Sequence, residues 1–249
     1  MLTDAALERF SRQLLLPDFS IEQQERLAAS RVLVVGCGGL GSPLALYLAA
    51  AGVGTLLLAD GDRVDRSNLQ RQILHGAADI DRPKVSSARD TVQRLAPDCA
   101  VTELDQHLAG EALDAAVAAC DLVADGSDNY PTRFALNRAC IAHGRPLVSA
   151  AAVRGEGQLA SFHVAAGSPC YRCLYPEAGQ DTALSCSESG VLGPVVGALG
   201  TLQALEVLKL LTGWGDNLLG QLLSLDLKHW QQQRLVLARR ADCPDCGAR

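Results

Sequence analysis

Apolar residues come in short solid runs, with amphipathic stretches between them. Arg31–Val35, Thr55–Ala59, Ala100–Leu104, Leu122–Asp125 and residues 146–151 read as strands. Between them, 40–51, 83–95, 111–119 and 131–144 carry helical periodicity, with Pro83 and Pro131 at first helical positions and Gly144 as a stop. This alternation predicts an α/β fold, a doubly wound Rossmann-like sheet with helices on both faces. Upstream, 3–16 predicts an amphipathic helix ended by Pro17, and Ser20 with Gln23 fits a capping box opening a second one.

After Ala152 the pattern changes. Residues 157–164 (GQLASFHV) alternate like an antiparallel strand. A Cys-, Ser- and Gly-rich stretch covers 169–193, then 194–211 is helical and 221–227 with 230–237 suggests a hairpin, so the sheet is expected to be mixed. Residues 177–190 form a polar loop of the length that often carries function. No Pro/Ser-rich linker separates the halves. We read one domain over 1–249, with N-terminal helices (1–30), a nucleotide half (31–152) and a second half (153–249).

Composition narrows the partners. The chain has 249 residues, is 48% hydrophobic and 20% charged, and carries a net charge of −6, which argues against nucleic acid or an anionic membrane as partner. Aromatics are only 4%, so Ala, Leu and Val must fill the core. The N-terminus lacks a basic segment followed by an apolar core, so a cytoplasmic location is expected. The most apolar long stretch, 195–211, has Gln203, Glu206 and Lys209 at spacing three, which predicts a polar stripe on a water-soluble helix rather than a membrane span.

The stretch from Arg31 to Lys84 carries the chemistry. Gly36, Gly38 and Gly41 fit G-x-G-x-x-G after a strand, and Asp60 ends the next strand some twenty residues on, as a partner for a ribose hydroxyl. Asn68, Gln70, Arg71 and Lys84 follow. Cations and amides there suit a triphosphate being broken, where charge must be neutralised at phosphorus. Asp128 lies just beyond the end of the Leu122–Asp125 strand, the edge where open α/β sheets bind ligands; its alternative task is to cap the helix at Pro131.

The chain has nine cysteines. Cys170-x-x-Cys173 and Cys243-x-x-Cys246, about seventy residues apart, can close a tetrahedral zinc site with no open position, hence a structural one. Cys186 lies alone in the polar loop and is either a nucleophile or an incidental residue. Cys37, Cys99, Cys120 and Cys140 read as small apolar filling.

Together RFSRQLLLP, GCGGLGS, LLLAD, SNLQRQ, RPK, DGSDNYPTR, CYRC, SESGVLGPVVG and CPDC resemble the E1-like activating enzymes, in family order from Arg9 to Cys246. The branch is that of the sulfur-carrier adenylyltransferases of molybdopterin and thiamine synthesis. The resemblance implies the E1-like activating enzyme fold with C-terminal antiparallel strands and a four-cysteine zinc site. It implies an ATP- and Mg2+-dependent enzyme that adenylates the C-terminal Gly-Gly of a ubiquitin-like sulfur carrier and releases pyrophosphate. The carrier would be the molybdopterin synthase small subunit or, as the alternative, that of the thiamine or another thiocarboxylate pathway. Gly39 and Asp60 would hold the nucleotide. Ser67, Asn68, Arg71 and Lys84 would line the phosphates, Leu69 and Gln70 would also be among the nucleotide-binding residues, and Asp128, with Asn129 beside it, would hold magnesium. Arg12 would be donated to the ATP of a second subunit in a homodimer, and residues 153–249 would bind the carrier and zinc. Cys37 stands where the family more often has Leu or Ala. No rhodanese stretch follows CPDC, so a separate sulfur donor is expected.

Three other readings compete. A tRNA-modifying E1-like dehydratase would lack the paired cysteine motifs. A nicotinamide-dependent oxidoreductase shares the glycine loop and Asp60, yet gives Arg71, Lys84 and Asp128 no common task. A zinc-clipped scaffold would have no use for those cations.

Overall fold

In the computed structural model, residues 2–176 and 190–247 are described. The strands are β1 (Arg31–Val35), β2 (Thr55–Ala59), β3 (Ala100–Leu104), β4 (Leu122–Asp125), β5 (Leu147–Val153), β6 (Glu156–Phe162), β7 (Gln221–Asp226) and β8 (Gln231–Val236). They form one eight-stranded sheet in the order β3-β2-β1-β4-β5-β6-β7-β8. From β3 to β5 all neighbours are parallel, and from β5 to β8 all are antiparallel. The change has a local cause. Earlier strands are joined through helices, as parallel neighbours require, whereas β5 and β6 meet across Arg154 and Gly155, Arg154 in the left-handed region (φ 56°).

The helices are α1 (Asp4–Arg9), α2 (Ser11–Leu14), α3 (Ile21–Ala29), α4 (Gly41–Ala51), α5 (Lys84–Leu95), α6 (Gly110–Ala118), α7 (Tyr130–His143), α8 (Tyr171–Leu174) and α9 (Gly193–Thr212). Successive strand residues feed opposite layers. Val32, Val34, Leu56 and Leu58 pack with Leu44, Leu48, Val85, Leu199 and Val207 under α4, α5 and α9. Leu33, Leu57 and Val123 pack with Leu113, Val117, Phe134 and Leu136 under α6 and α7. Each fully buried Leu or Val contributes about 1.5–3 kcal/mol, so the two layers stabilise the sheet from both sides.

Four expectations are corrected. The N-terminal helix over 3–16 is two short helices, because Phe10 turns inward (φ −96°, ψ 8°) and is buried against Gly52. Pro83 caps α5 from extended backbone (φ −54°, ψ 134°) and does not occupy its first turn. Asn129, not Asp128, caps α7, accepting the Thr132 N–H at 3.0 Å. Of the polar stripe on α9 only Lys209 reaches the surface, where it donates to the Asp216 carbonyl. Gln203 and Glu206 are buried, Gln203 donating to the carbonyls of Asp125 and Val148 and Glu206 accepting from Ser161 Oγ and the Leu218 N–H. Among the described residues α9 is the one helix long and apolar enough to cross a membrane, and it is the central helix packed on α4, β5 and β6.

Candidate active site

The strand order reverses between β1 and β4, and a cleft opens at the C-terminal ends of those two strands, where doubly wound sheets take ligands. Its floor is the glycine loop. Gly36 has φ 90°, and a Cβ there would sit 2.9 Å from the Gly126 carbonyl. A Cβ on Gly41 would fall 1.8 Å from the Gly36 carbonyl, so the loop closes only with glycine. Ser42 Oγ donates to the Gly38 carbonyl at 2.7 Å as the chain enters α4. In the first turn of α4 the Ser42 and Leu44 N–H groups bond the Gly38 and Leu40 carbonyls and Pro43 has none, so N–H donors for an anion lie in the loop ahead of the helix.

Asp60 ends β2 against this loop. Its Oδ2 accepts the Cys37 N–H at 2.8 Å and its Oδ1 the Asp62 N–H at 2.9 Å. A carboxylate has about four lone-pair sites, which leaves two for hydroxyl groups. Lys84, at the start of α5, has a side chain only 7% exposed, with Nζ 2.7 Å from Asp62 Oδ2 and 3.8 Å from Asp60 Oδ2. Arg71 lines the facing wall, its guanidinium held by Asn68 Oδ1 at 2.6 Å and the Ser67 carbonyl at 3.4 Å.

Behind the loop, buried His75 bridges the Cys37 carbonyl from Nε2 and Ser87 Oγ from Nδ1, both at 2.9 Å. A carbonyl only accepts, so Nε2 carries a proton. Burial pushes the His75 pKa down, against the pull of that carbonyl and of Asp60 and Asp79. Cys37 is fully buried, and desolvation raises its thiol pKa far above the ordinary range; burial likewise pushes Cys99 and Cys120 up to about 11. These thiols fill space, as does buried Cys140.

The fold brings Gly39, Asp60, Arg71, Lys84, Asp128 and Asn129 to the walls of this one cleft. Asp128 is exposed, and its carboxylate meets no partner among the described residues. Ser67, Asn68, Leu69 and Gln70 do not line the cleft. Ser67 bonds Asp65, Asn68 orients Arg71, and the Gln70 carbonyl packs against Gly193. Arg12, exposed on α2, also lies away from the walls. Cys186 lies outside the described residues. Sequence reading missed Asp62, Gln72, Gln106, His107 and Thr132 on the walls. Gln106 and His107 follow the end of β3, so the strand-end rule applied to that strand finds them.

At the far end of the chain, Cys170, Cys173, Cys243 and Cys246 place their sulfurs within 4.8 Å of one another. Neighbouring sulfurs lie 4.0, 3.6 and 3.5 Å apart. Four thiolates at about 2.3 Å from one tetrahedral ion sit about 3.8 Å apart, so the cluster fits a four-coordinate ion. The Arg240 N–H adds a 3.5 Å bond to Cys173 Sγ.

Residues 10–246 match the ThiF family, and the chain belongs to that family. It is 49% identical over 246 residues to the sulfur carrier protein ThiS adenylyltransferase of Escherichia coli (strain K12), covering 99% of this chain and 97% of that one. It is 45% identical over 246 residues to the molybdopterin-synthase adenylyltransferase of the same organism, covering 99% and 98%. The adenylyltransferase and sulfurtransferase MOCS3 of Sus scrofa is 49% identical over 251 residues, and the chain spans 55% of it. The crystal structure of E. coli MccB, at 20% identity, superposes with a TM-score of 0.86 over 97% of this chain and 73% of that one, and shows the shared fold. Like these adenylyltransferase relatives, the protein is an ATP-using nucleotidyltransferase.

Proposed function

We propose that this chain adenylates the C-terminal Gly-Gly carboxylate of a ubiquitin-like sulfur-carrier protein. The observation that carries this reading is the convergence of Asp60, Arg71, Lys84 and Asp128 on one cleft beside the glycine loop. An oxyanion of the carrier's last glycine attacks the α-phosphorus of ATP, and pyrophosphate leaves with the electron pair of the broken bond. The protein needs no covalent step. It must hold two anions together and neutralise the charge that builds on phosphate oxygens.

The residues divide that work. The remaining lone pairs of Asp60 accept the ribose hydroxyls. Lys84 and Arg71 face the phosphates, Lys84 fixed by Asp62 and Arg71 by Asn68. The glycine loop supplies neutral N–H donors. Asp128, an oxygen ligand on the wall with no partner among the described residues, suits Mg2+, which neutralises phosphate charge when bound. The cysteine cluster suits a structural Zn2+ that ties residues 243–246 to 170–173, with no position left for substrate.

We take the working unit to be a homodimer acting in the cytoplasm as one adenylation domain per chain, with sulfur supplied by a separate donor. Arg12 reaches no wall of its own cleft, and Leu15 and Leu16 beside it are 70% and 42% exposed, an apolar surface for a second subunit to cover. The molybdopterin-synthase small subunit is the proposed carrier. The thiamine-pathway carrier is the second reading, favoured by the 49% identity to the ThiS adenylyltransferase.

ATP–pyrophosphate exchange with each purified carrier tests the function. Exchange that depends on one Gly-Gly carrier is expected. No exchange with either, in a protein whose melting temperature rises with NAD and not with ATP-Mg, overturns the reading.

A further inference from the structure

Beneath the cleft lies a buried ion pair that the chemistry above leaves without a task. Asp125, the last residue of β4, has a side chain with no exposure, and the Arg133 side chain on α7 is 11% exposed. Arg133 Nε lies 3.9 Å from Asp125 Oδ2. Burying two charges is costly, and two apolar side chains would fill the same space at no such cost. The geometry shows what the pair holds. Asp125 Oδ1 accepts both the Ser127 N–H at 3.0 Å and Ser127 Oγ at 2.6 Å. An Arg133 terminal nitrogen donates to the Ser127 carbonyl at 2.6 Å. Ser149 Oγ on β5 donates to Asp125 Oδ2 at 2.8 Å, and Gln203 on α9 donates to the Asp125 carbonyl at 2.8 Å. Both backbone polar groups of Ser127 are therefore held by charged side chains, the N–H by Asp125 and the carbonyl by Arg133.

The next residue is Asp128. On its other side the same turn touches the glycine loop, since a Cβ on Gly126 would meet the Gly41 nitrogen at 3.2 Å and the Val35 carbonyl at 3.3 Å. The Gly126 N–H bonds the Val35 carbonyl at 2.9 Å, and the ion pair adds a link from the end of β4 to the start of α7 and, through Ser149, to the neighbouring strand. Burial lowers the hold of Arg133 on its proton, and attraction to Asp125 more than restores it, so the cation persists.

We propose that Arg133, together with Asp125, is a positioning residue that fixes the backbone on both sides of Ser127 and so aims the Asp128 carboxylate across the cleft at the glycine loop. This rests on the reading of Asp128 given above.

The test is a double-mutant cycle in ATP–pyrophosphate exchange with the full chain and its carrier, using R133M, D128N and the pair, with R133K and S149A as milder variants. R133M is expected to lower kcat about 100-fold, the cost of a misplacement near 1 Å, while KM for ATP changes less than about threefold. In the D128N background R133M is expected to add almost nothing, because the two act as a unit. Amide hydrogen exchange at Ser127 is expected to be slow in the wild type and fast in R133M and R133K. Fully additive losses in the cycle, or Ser127 protection unchanged in both Arg133 variants, overturn the proposal. Full activity in D128N would instead remove the role given to Asp128, and the Ser127 exchange result would still report on the Arg133 grip.

Discussion

The carboxylate of Glu206 accepts the hydroxyl of Ser161 at 2.6 Å in the middle of the molecule. The same Oε1 also accepts the Leu218 N–H at 2.6 Å. One oxygen therefore joins α9, β6 and the loop entering β7. A neutral amide offers that oxygen equally well, and an alkyl chain does not. Glu206→Gln is expected to melt within a few degrees of the wild type. Glu206→Leu leaves two buried donors unpaired, at about 1–3 kcal/mol each. A fall of roughly 4–24 °C in Tm by calorimetry is expected for it.

Lys84 is the cation most completely removed from water in the cleft. Lys84→Ala is expected to lower the rate of pyrophosphate exchange by about 10²–10³-fold, the usual loss when one preorganised donor to developing charge is removed. Its position between Asp60 and Asp62 also makes it a screen for those carboxylates. ATP binding followed by calorimetry should weaken in the same variant, while circular dichroism stays unchanged.

The cysteine cluster closes a long loop. One equivalent of zinc per chain is expected by elemental analysis of protein purified without chelator. Metal that binds only the folded chain, at a free concentration a thousandfold above its Kd, contributes about 4 kcal/mol. Cys173→Ser and Cys246→Ser should each lower metal content and Tm together. Zinc content well below one equivalent, with both variants as stable as the wild type, would remove the cluster from the list of metal sites.

His75 gives the fold a mild acid sensitivity. Burial lowers its folded-state pKa below the unfolded value of 6.5. The unfolded chain then takes up a proton at a pH where the folded chain does not. Stability from neutral His75 is complete above pH 6.5 and is lost as pH falls through the folded-state pKa. His75→Asn removes this term. The Tm advantage of the wild type over the variant is expected to be largest at pH 7–8 and to shrink towards pH 5.

Much of the fold is legible locally. Arg31–Val35, Thr55–Ala59, Ala100–Leu104 and Leu122–Asp125 are strands over the residues read from the sequence, because each is a short β-branched or Leu-rich run bounded by Gly, Ala or Asp turns. The glycine loop is legible for a steric reason, since no other residue fits at Gly36 or Gly41. The two C-x-x-C pairs are legible because metal ligands need fixed spacing.

The sequence by itself thus determined the alternation of elements, the glycine loop, the cysteine pairs and four charged residues, Asp60, Arg71, Lys84 and Asp128, that line the cleft. Only the tertiary structure decided which of them meet. It turned the polar stripe of Gln203 and Glu206 inward, because both find partners on strands and loops distant in sequence. It gave the cap of α7 to Asn129 and so released the Asp128 carboxylate from that task. It kept Ser67 to Gln70 off the wall and put Gln72 and His107 on it. It paired Arg133 with Asp125 beneath the Ser127 peptide. Local periodicity encodes which face of an element is apolar. It does not encode which distant polar group that face will meet, and that meeting is settled only when the layers pack.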